Sequence, residues 1–215
     1  NATTGLYEQQ AVLKPTTVDS DEFGNAIDLS DDGNTLVVGS AMADTATGYD
    51  GGCAYIFRRS GTTWTQRAKI IPSEAVNSSY FGVSVAVSGD GSTVAIGSPR
   101  LDNTQSDSGA VHIFVTSDSG VTWTQQVRLA APEDQAAALF GMAVALSTTG
   151  NKLLTGAPGV TVSALANAGR AYVHTRSGTT WTLKGNLSPT TPLASAQFGY
   201  SVDITGEGNH GIVGA

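Results

Sequence analysis

The dipeptide Phe-Gly occurs four times in this chain at a nearly constant spacing, and this regularity limits the folds open to it. The copies begin at Phe23, Phe81, Phe140 and Phe198, so the intervals are 58, 59 and 58 residues. A fixed period of this length means that one supersecondary unit is repeated along the chain. We expect residues that recur in every unit to build it, and function to lie where the copies differ.

Other residues keep the same period. A Pro precedes each Phe-Gly and a turn Gly follows it, and an aromatic-Thr pair recurs in three copies, with Tyr7 at the aromatic position of the first. These residues are Pro15, Pro72, Pro132 and Pro189; Gly33, Gly91, Gly150 and Gly208; Trp64, Trp123 and Trp181. We predict one domain over 1–215, with repeats 5–61, 62–120, 121–178 and 179–215, the last incomplete.

Apolar residues alternate with small or acidic ones after each Phe-Gly. In the first copy Ile27 and Leu29 point one way and Asp28 points the other. Alternation with period two and many Val and Ile residues indicates β-strands. No stretch has apolar residues at helical spacing, so the chain is predicted to be all-β, with four antiparallel strands per copy.

Four antiparallel strands repeated at this period predict the blades of a β-propeller. In such a blade, the hairpins between strands one and two and between strands three and four share one face. The long loops between strands two and three, and those between blades, share the opposite face. We call this opposite side the loop face, and expect binding residues there because a rigid scaffold presents variable loops on it.

The repeats do not complete a set of whole blades. Tyr7–Leu13 is predicted to be an outer fourth strand, and the fourth copy has only its first two strands before Ala215. An unpaired strand edge is prone to association. We expect the chain to be part of a larger propeller, or another chain to supply the missing strand; a closed ring of four blades is the remaining alternative.

Three segments resemble FG-GAP repeats, the unit of the integrin α-subunit propeller. They are Phe81–Ser88, with the sequence FGVSVAVS, Gly156-Ala157-Pro158, and Gly52–Phe57, with the sequence GCAYIF. The resemblance covers essentially the whole chain in four registers. It implies a module outside the cell, or on a cell or virion surface, that recognises protein or glycan and often serves adhesion.

The resemblance also raises the question of calcium, which integrin-type blades often hold in the hairpin between strands one and two. Such a site needs several oxygen ligands converging on the ion. The corresponding hairpins here do not supply the full set, and the third, around Thr148 and Thr149, has no carboxylate. We therefore interpret them as turns and predict no cofactor and no metal residues.

The candidate ligand-binding residues lie in the loops between strands two and three. They are Asp44, Tyr49 and Asp50 in the first copy, and Arg100, Asp102 and Asp107 in the second. The third loop, Val160–Ala168, has no charge. Solvated loop residues are the alternative interpretation.

The recurring aromatic residues are predicted to be scaffold. Trp64, Trp123 and Trp181 could stack on sugars, but their constant position favours packing between blades. The same reasoning places the four Phe residues of the Phe-Gly pairs in the core.

An enzyme is not predicted. His112, His174 and His210 occupy unrelated positions, and there is no Ser/His/Asp arrangement and no metal-ligand spacing. With 13% charged residues and a net charge of −7, nothing favours nucleic acid or an anionic membrane, and no apolar run is long enough to insert into one. The single Cys53 allows no intrachain disulfide and is predicted to be a small buried residue.

Three sequons, at Asn1, Asn77 and Asn186, are candidate N-glycosylation sites in a secreted protein.

Two functional hypotheses follow. The first is a non-catalytic extracellular module that binds protein or glycan through its loop face. The second is a structural subunit of a surface appendage, fibre or virion, whose partners are neighbouring chains paired through the incomplete blade.

Overall fold

The computed structural model describes residues 8–16, 22–46, 48–72 and 77–215, and the predicted all-β fold is confirmed there. Every regular element in these residues is a strand, so none of them forms a helix that could cross a membrane. The strands are β1 Phe23–Leu29, β2 Thr35–Ser40, β3 Cys53–Ser60, β4 Thr63–Ile70, β5 Ser84–Val87, β6 Thr93–Ser98, β7 Ala110–Val115, β8 Thr124–Ala130, β9 Ala143–Leu146, β10 Lys152–Ala157, β11 Arg170–Ser177, β12 Thr180–Leu187, β13 Ser201–Ile204 and β14 Gly211–Gly214.

The strands form three antiparallel sheets of four and one of two, as a β-propeller requires. The sheets follow chain order, β1 to β4, β5 to β8 and β9 to β12, and we call them blades 1, 2 and 3; β13 pairs with β14. Each sheet takes its fourth strand from the next predicted repeat, because a repeat begins with the outer strand of the preceding blade. The predicted boundaries are thus offset from the sheets by one strand.

The first strands of the blades pack side by side at the centre. The strand β5 contacts both β1 and β9, and β9 contacts β13. Residues of all four strands line a shared cavity of about 290 Å³. Since the first strand of each copy has the alternating pattern, it can contact a neighbouring blade with its apolar side.

The Phe-Gly pairs lie at the blade boundaries. Phe81, Phe140 and Phe198 each form a parallel bridge with a Gly that precedes the third strand of the previous blade: Gly52, Gly109 and Gly169. A Cβ on the Gly next to the end of the second strand would lie 1.8–2.0 Å from the glycine carbonyl oxygen of the next Phe-Gly, as at Gly97 and Gly156. The Phe-Gly pair of one blade and the second-strand Gly of the preceding blade are therefore two sides of one interface.

Three of the four Phe residues of the Phe-Gly pairs, Phe23, Phe81 and Phe140, also pack edge-on against two rings of their own blade. Phe140 contacts Tyr172 and His174 in this way, and Phe81 contacts His112 and Phe114. Phe81 and Phe140 are fully buried, whereas Phe23 and Phe198 are half-buried. Cys53 is also buried, and burial raises the pKa of its thiol.

The fourth strand of every blade carries a β-bulge at the same repeat position. The extra residues are Arg67 in β4, Gln126 in β8 and Lys184 in β12, each skipped in the pairing with the third strand. A bulge redirects the side chain of the extra residue. At Gln126 it directs the side chain to the next blade, where the Trp181 indole Nε1 donates a hydrogen bond of 2.9 Å to Oε1.

The prediction of a strand over Tyr7–Leu13 is wrong for the residues that can be judged, since residues 8–15 form no strand and Tyr7 lies outside the described residues. The segment nevertheless follows blade 1. Trp64 Nε1 donates to Gln10 Oε1 at 3.2 Å, and Leu13 packs against the cluster around Tyr55. A strand requires a ladder of backbone hydrogen bonds with a neighbouring strand, and residues 8–15 belong to none of the sheets formed by the described residues.

Candidate functional site

The loop face is built from loop pairs with the same backbone geometry. In each, the loop between strands two and three accepts hydrogen bonds from the loop that leads to the next blade. The amides of Ser78, Ala137 and Ser195 donate to the carbonyls of Tyr49, Ser106 and Ala166 at 2.8–2.9 Å. Further along, the amides of Tyr80, Leu139 and Gln197 donate to the carbonyls of Asp50, Asp107 and Asn167 at 2.9–3.3 Å. The sequence placed these loops on one face but gave no sign that they pair.

Two of the predicted ligand-binding carboxylates hold their own loops closed. Asp44 Oδ1 accepts the Asp50 amide at 3.1 Å, and Asp102 Oδ1 accepts the Asp107 amide at 2.8 Å. Asp50 and Asp107 have left-handed backbone conformations, with φ of 50° and 51°. Asp and Asn tolerate this region better than most residues. The structure thus gives all four aspartates a role in shaping the loops.

Tyr49 and Arg100, also predicted as ligand-binding residues, have exposed side chains. Tyr49 is 76% exposed. The Arg100 guanidinium lies 4.9 Å from the ring centre of Tyr80, a cation–π contact. We call Tyr49, Tyr80 and Arg100 the aromatic patch of the loop face.

Tyr80 was not among the predicted ligand-binding residues. It occupies the position just before Phe-Gly, where the other copies have Glu22, Leu139 and Gln197. All four residues have a left-handed φ of 52–59°. The sequence did offer one sign of this position: the residue before Phe-Gly differs in all four copies, while the Phe-Gly pair itself does not change.

Asn77 lies next to this patch. Its Oδ1 accepts the Tyr49 amide at 2.9 Å, and the residue is exposed. Of the other two candidate glycosylation sites, Asn186 is exposed on the outer strand β12, and Asn1 lies outside the described residues.

The loop between β10 and β11 presents no comparable patch, because residues 160–168 carry no charge and the Arg170 that follows them is paired with Glu133 of the loop between β8 and β9. Arg170 at the start of β11 forms an ion pair with Glu133, and Gln135 accepts the Thr161 amide at 3.0 Å. Burial, with the added negative charge of Glu133, raises the pKa of Tyr172. Glu133 and Gln135 thus connect the loop between β8 and β9 to the loop between β10 and β11.

The three tryptophans lie at blade boundaries and are half-buried. Trp64 and Trp181 also make cation–π contacts. The guanidinium of Arg59 lies 5.8 Å from the ring centre of Trp64, and that of Arg176 lies 5.5 Å from the ring centre of Trp181. Trp123 Nε1 is buried and makes no hydrogen bond with any described residue. These positions are those of interblade packing.

The histidines occupy three unlike environments. His112 is fully buried, with Nε2 2.9 Å from Ser98 Oγ, and Ser98 is only 1% exposed, so the pair is closed to a substrate. His174 is also buried, and burial lowers its pKa to about 4. His210 is exposed beside the last hairpin.

The central cavity is acidic on one side. Burial raises the pKa of Asp28, with smaller contributions from the charges of Asp203 and Asp31, although hydrogen bonds from the backbone amides of Val87, at 2.7 Å to Oδ2, and Leu29 act to lower it. In the hairpins considered for calcium, Asp32 and Asp90 accept hydrogen bonds from nearby Ser and Asn groups of their own turns. Among the described residues, no three His, Cys, Asp or Glu side chains are grouped to hold a metal ion.

Solved structures with a similar fold include three differently named proteins from three organisms. Sqt1 of Saccharomyces cerevisiae is 9% identical over 81% of this chain and 38% of its own, with a TM-score of 0.51. Hydrazine synthase of Kuenenia stuttgartiensis is 15% identical over 87% and 54%, with a TM-score of 0.55. The periplasmic gluconolactonase PpgL of Pseudomonas aeruginosa is 12% identical over 89% and 50%, with a TM-score of 0.57.

At these identities the likeness is one of fold, the β-propeller. The chain spans between about two fifths and just over half of the length of these three proteins. No curated protein matches it by sequence.

The family comparison is specific. A model described as the FG-GAP repeat matches residues 7–57, 64–114 and 123–174, three consecutive repeats that together make up well over half of the chain. Each match contains one Phe-Gly with the strands that follow it, and the structure places these residues at the blade boundaries. The chain belongs to the FG-GAP repeat family.

Proposed function

We propose that this chain is a non-catalytic recognition module that acts outside the cell or on a cell or virion surface, and that it binds a protein or a glycan at its loop face. The observation that carries the proposal is the aromatic patch of Tyr49, Tyr80 and Arg100, presented by loops whose backbones are bonded to each other.

The chemistry of the patch supports recognition. Tyr and Arg are enriched among the residues that dominate the energy of protein interfaces, and a Tyr ring can equally stack on the apolar face of a sugar. The exposed ring of Tyr49 is available for either contact.

The paired loops support recognition for a different reason. Ordering a loop on binding costs free energy, so a preorganised loop binds more tightly than a mobile one with the same contacts. Tyr49 and Tyr80 both lie in backbone hydrogen bonds that join one loop to the next.

The buried histidines support a non-catalytic role. General acid–base catalysis requires a group within hydrogen-bond reach of the substrate. His112 and His174 are at most 5% exposed, which keeps both from such contact. Because one protein of similar fold is a gluconolactonase, gluconolactone is a suitable substrate for a control assay, and we expect no turnover.

Binding to a glycan array and to extracellular-matrix proteins immobilised on a sensor tests the proposal. Tyr49→Ala and Arg100→Ala should each weaken the strongest signal by about 10-fold or more, as expected for a residue central to an interface. Val121→Ala is the matched control, since Val121 is 55% exposed on the hairpin between β7 and β8, on the opposite face.

The protein should be produced without glycosylation, since a glycan on Asn77 would lie beside Tyr49. In a secretory host, Asn77→Asp serves the same purpose. It keeps the side-chain oxygen that accepts the Tyr49 amide and removes the nitrogen to which a glycan would be attached. The assignment to the loop face is contradicted if Val121→Ala weakens binding as much as Tyr49→Ala and Arg100→Ala do. It is also contradicted if none of these three changes affects binding.

A further inference from the structure

The aromatic patch lies at one loop pair of the loop face. Between blades 1 and 2, Tyr49 supplies the carbonyl that accepts the first interloop hydrogen bond, and Tyr80 supplies the amide that donates the second. The residues at these two positions are Ser106 and Leu139 between blades 2 and 3, and Ala166 and Gln197 between blade 3 and the β13–β14 sheet. Among the described loop pairs, the aromatic pair thus occurs once, between two blades that each have four strands.

Unused polar groups surround the exposed Tyr49 ring. Asn77 accepts the Tyr49 amide with Oδ1, so its Nδ2 group stays available as a donor. Asp44 accepts the Asp50 amide with Oδ1. Neither Asp44 Oδ2 nor the Asp50 carboxylate bonds to a described residue, and both are available as acceptors.

Arg100 adds donors from the next loop. Its guanidinium lies over the Tyr80 ring and makes no ion pair or hydrogen bond with a described residue. The Tyr80 amide donates to the Asp50 carbonyl at 3.3 Å, so Tyr80 and the loop that carries Tyr49 are adjacent. A guanidinium that contacts a ring with its face keeps the N–H groups at its edge for an oxygen acceptor.

This combination suits a sugar better than a protein partner. A sugar has an apolar C–H face that can pack on an aromatic ring, and hydroxyl groups that both donate and accept hydrogen bonds. A few well-placed polar groups are enough to orient a small ligand. A stable protein interface needs about 800 Å² and roughly 20–30 residues from each partner, whereas the unused groups here belong to a few residues of adjoining loops.

The charges near the patch select among sugars. In the described parts of these loops, the positive residue is Arg100 and the negative residues are Asp44, Asp50, Asp102 and Asp107. The whole chain has a net charge of −7. Like charges brought together in a complex cost free energy. A sialic or uronic acid therefore meets a repulsion here that a neutral sugar does not.

We propose that the aromatic patch binds one neutral sugar unit of a glycan, stacked on Tyr49 and hydrogen-bonded through its hydroxyl groups to Asp50, Asn77 and Arg100. This inference rests on the proposed function and names the ligand class of the same site. The chain holds one such sugar, because the other two loop pairs have no aromatic side chain at the corresponding positions.

An array that presents each neutral glycan beside its sialylated and its uronic-acid counterpart tests the ligand class. The protein, produced without glycosylation, should bind neutral glycans and bind their acidic counterparts about 10-fold more weakly or less, as like-charge repulsion requires. Titration calorimetry with the best neutral glycan should give one site per chain.

Variants then locate the sugar. Tyr49→Ala should weaken binding of the best neutral glycan by about 10-fold or more, whereas Tyr49→Phe keeps the ring and should bind nearly as well as the wild type. Leu193→Ala is the control on the same face, since Leu193 is 68% exposed in the loop between β12 and β13, and its affinity should be unchanged.

Asp50→Asn tests the origin of the charge selection. Asparagine tolerates the left-handed φ of 50° at this position, so the loop should be retained. The variant removes one negative charge and should narrow the difference in affinity between neutral and acidic glycans. A difference that stays the same would show that the aspartate does not face the sugar.

The outcomes separate this inference from the proposed function. Lack of binding to any neutral glycan, a preference for acidic glycans, or several sites per chain would overturn the sugar assignment. If an extracellular-matrix protein binds instead, and Tyr49→Ala and Arg100→Ala weaken it, the loop face remains the binding surface and the sugar assignment alone fails. Glycan binding that neither variant changes contradicts both.

Discussion

Trp123 illustrates how one residue can leave a blade boundary incomplete. Trp181 Nε1 donates to Gln126 at the bulge of the preceding blade, and Trp64 Nε1 donates to Gln10. At the bulge before Trp123 the residue is Arg67, whose side chain has donors and no acceptor. This difference explains why Trp123 Nε1 is buried without a hydrogen bond among the described residues.

Arg67→Gln should therefore stabilise the protein. A glutamine at the bulge can accept the Trp123 indole N–H, and a satisfied buried donor is worth about 1 kcal/mol in the free energy of unfolding. Urea denaturation followed by tryptophan fluorescence measures the change. The reverse exchange, Gln126→Arg, should destabilise by a similar amount; if both changes are neutral, the indole bonds contribute nothing.

His174 makes stability depend on pH. Burial lowers its pKa to about 4, below the value near 6.5 of the unfolded chain, so the unfolded state binds more protons between these values. The free energy of unfolding should fall as pH decreases from about 6.5 to about 4, by about 3 kcal/mol in total from this residue. Urea midpoints at intervals over this range measure the slope.

His174→Phe is the matched variant for that measurement. Phe57 and Phe114 occupy the same repeat position, so the site accepts a phenyl ring. The variant should lose the part of the slope that His174 contributes and be more stable at pH 4. An unchanged slope would show that His174 does not titrate as proposed.

At the scale of strands and turns, the glycines that end the second strands fix the distance between blades. A Cβ on Gly97 would lie 2.0 Å from the Gly141 carbonyl oxygen, and backbone cannot move aside as a flexible side chain can. The Phe-Gly of each blade can approach its neighbour only because that Cβ is absent.

Gly97→Ala should therefore destabilise the protein by about 3 kcal/mol, the upper part of the usual cost of overpacking. Gly185→Ala in β12 is the control, since a Cβ there has no atom within 4 Å and no positive φ to strain. It should be neutral or raise the free energy of unfolding by up to about 1 kcal/mol. Thermal unfolding of both variants measures the contrast, and equal effects would contradict the interface as described.

The strands themselves were predictable because their signals are local. Val and Leu alternating with Ala define β5 and β9, and a Gly in a short polar loop defines the hairpins. The segment Tyr7–Leu13 was predicted to be a strand from its position in the repeat, yet residues 8–15 form no strand. A position in the repeat cannot show whether a neighbouring strand is there to pair with.

At the scale of the whole molecule, stability should vary along the chain. In a repeat architecture each unit gains much of its stability from contact with its neighbours. Blade 2 lies between two other blades, and its strands β5 and β6 are buried throughout, whereas β13 and β14 are half-buried or exposed.

Hydrogen exchange followed by mass spectrometry should therefore find the slowest amides in β6 and the fastest strand amides in β14. Segments that open locally exchange with a smaller free energy than those that require global unfolding. Uniform exchange across the four sheets would contradict the gradient.

The candidate site could be predicted only in part from the sequence. The sequence placed the long loops on one face and identified Tyr49 and Arg100 as candidates. It could not show that Asp44 and Asp102 are used to close their own loops, or that Tyr80 lies under Arg100. Both facts depend on contacts between loops that are distant along the chain or folded back on themselves.

The sequence by itself determined the repeat, its all-β character and the assignment of Phe-Gly to the scaffold, because these follow from periodicity and local backbone preference. Only the tertiary structure decided that the two glycine-containing parts of the repeat are opposite sides of one interface, and that Ile27 and Ile212 are exposed while Val85 and Val37 at the same repeat positions are buried. Burial of a strand face depends on which neighbour packs against it, and identical strand patterns therefore have different exposures in different blades.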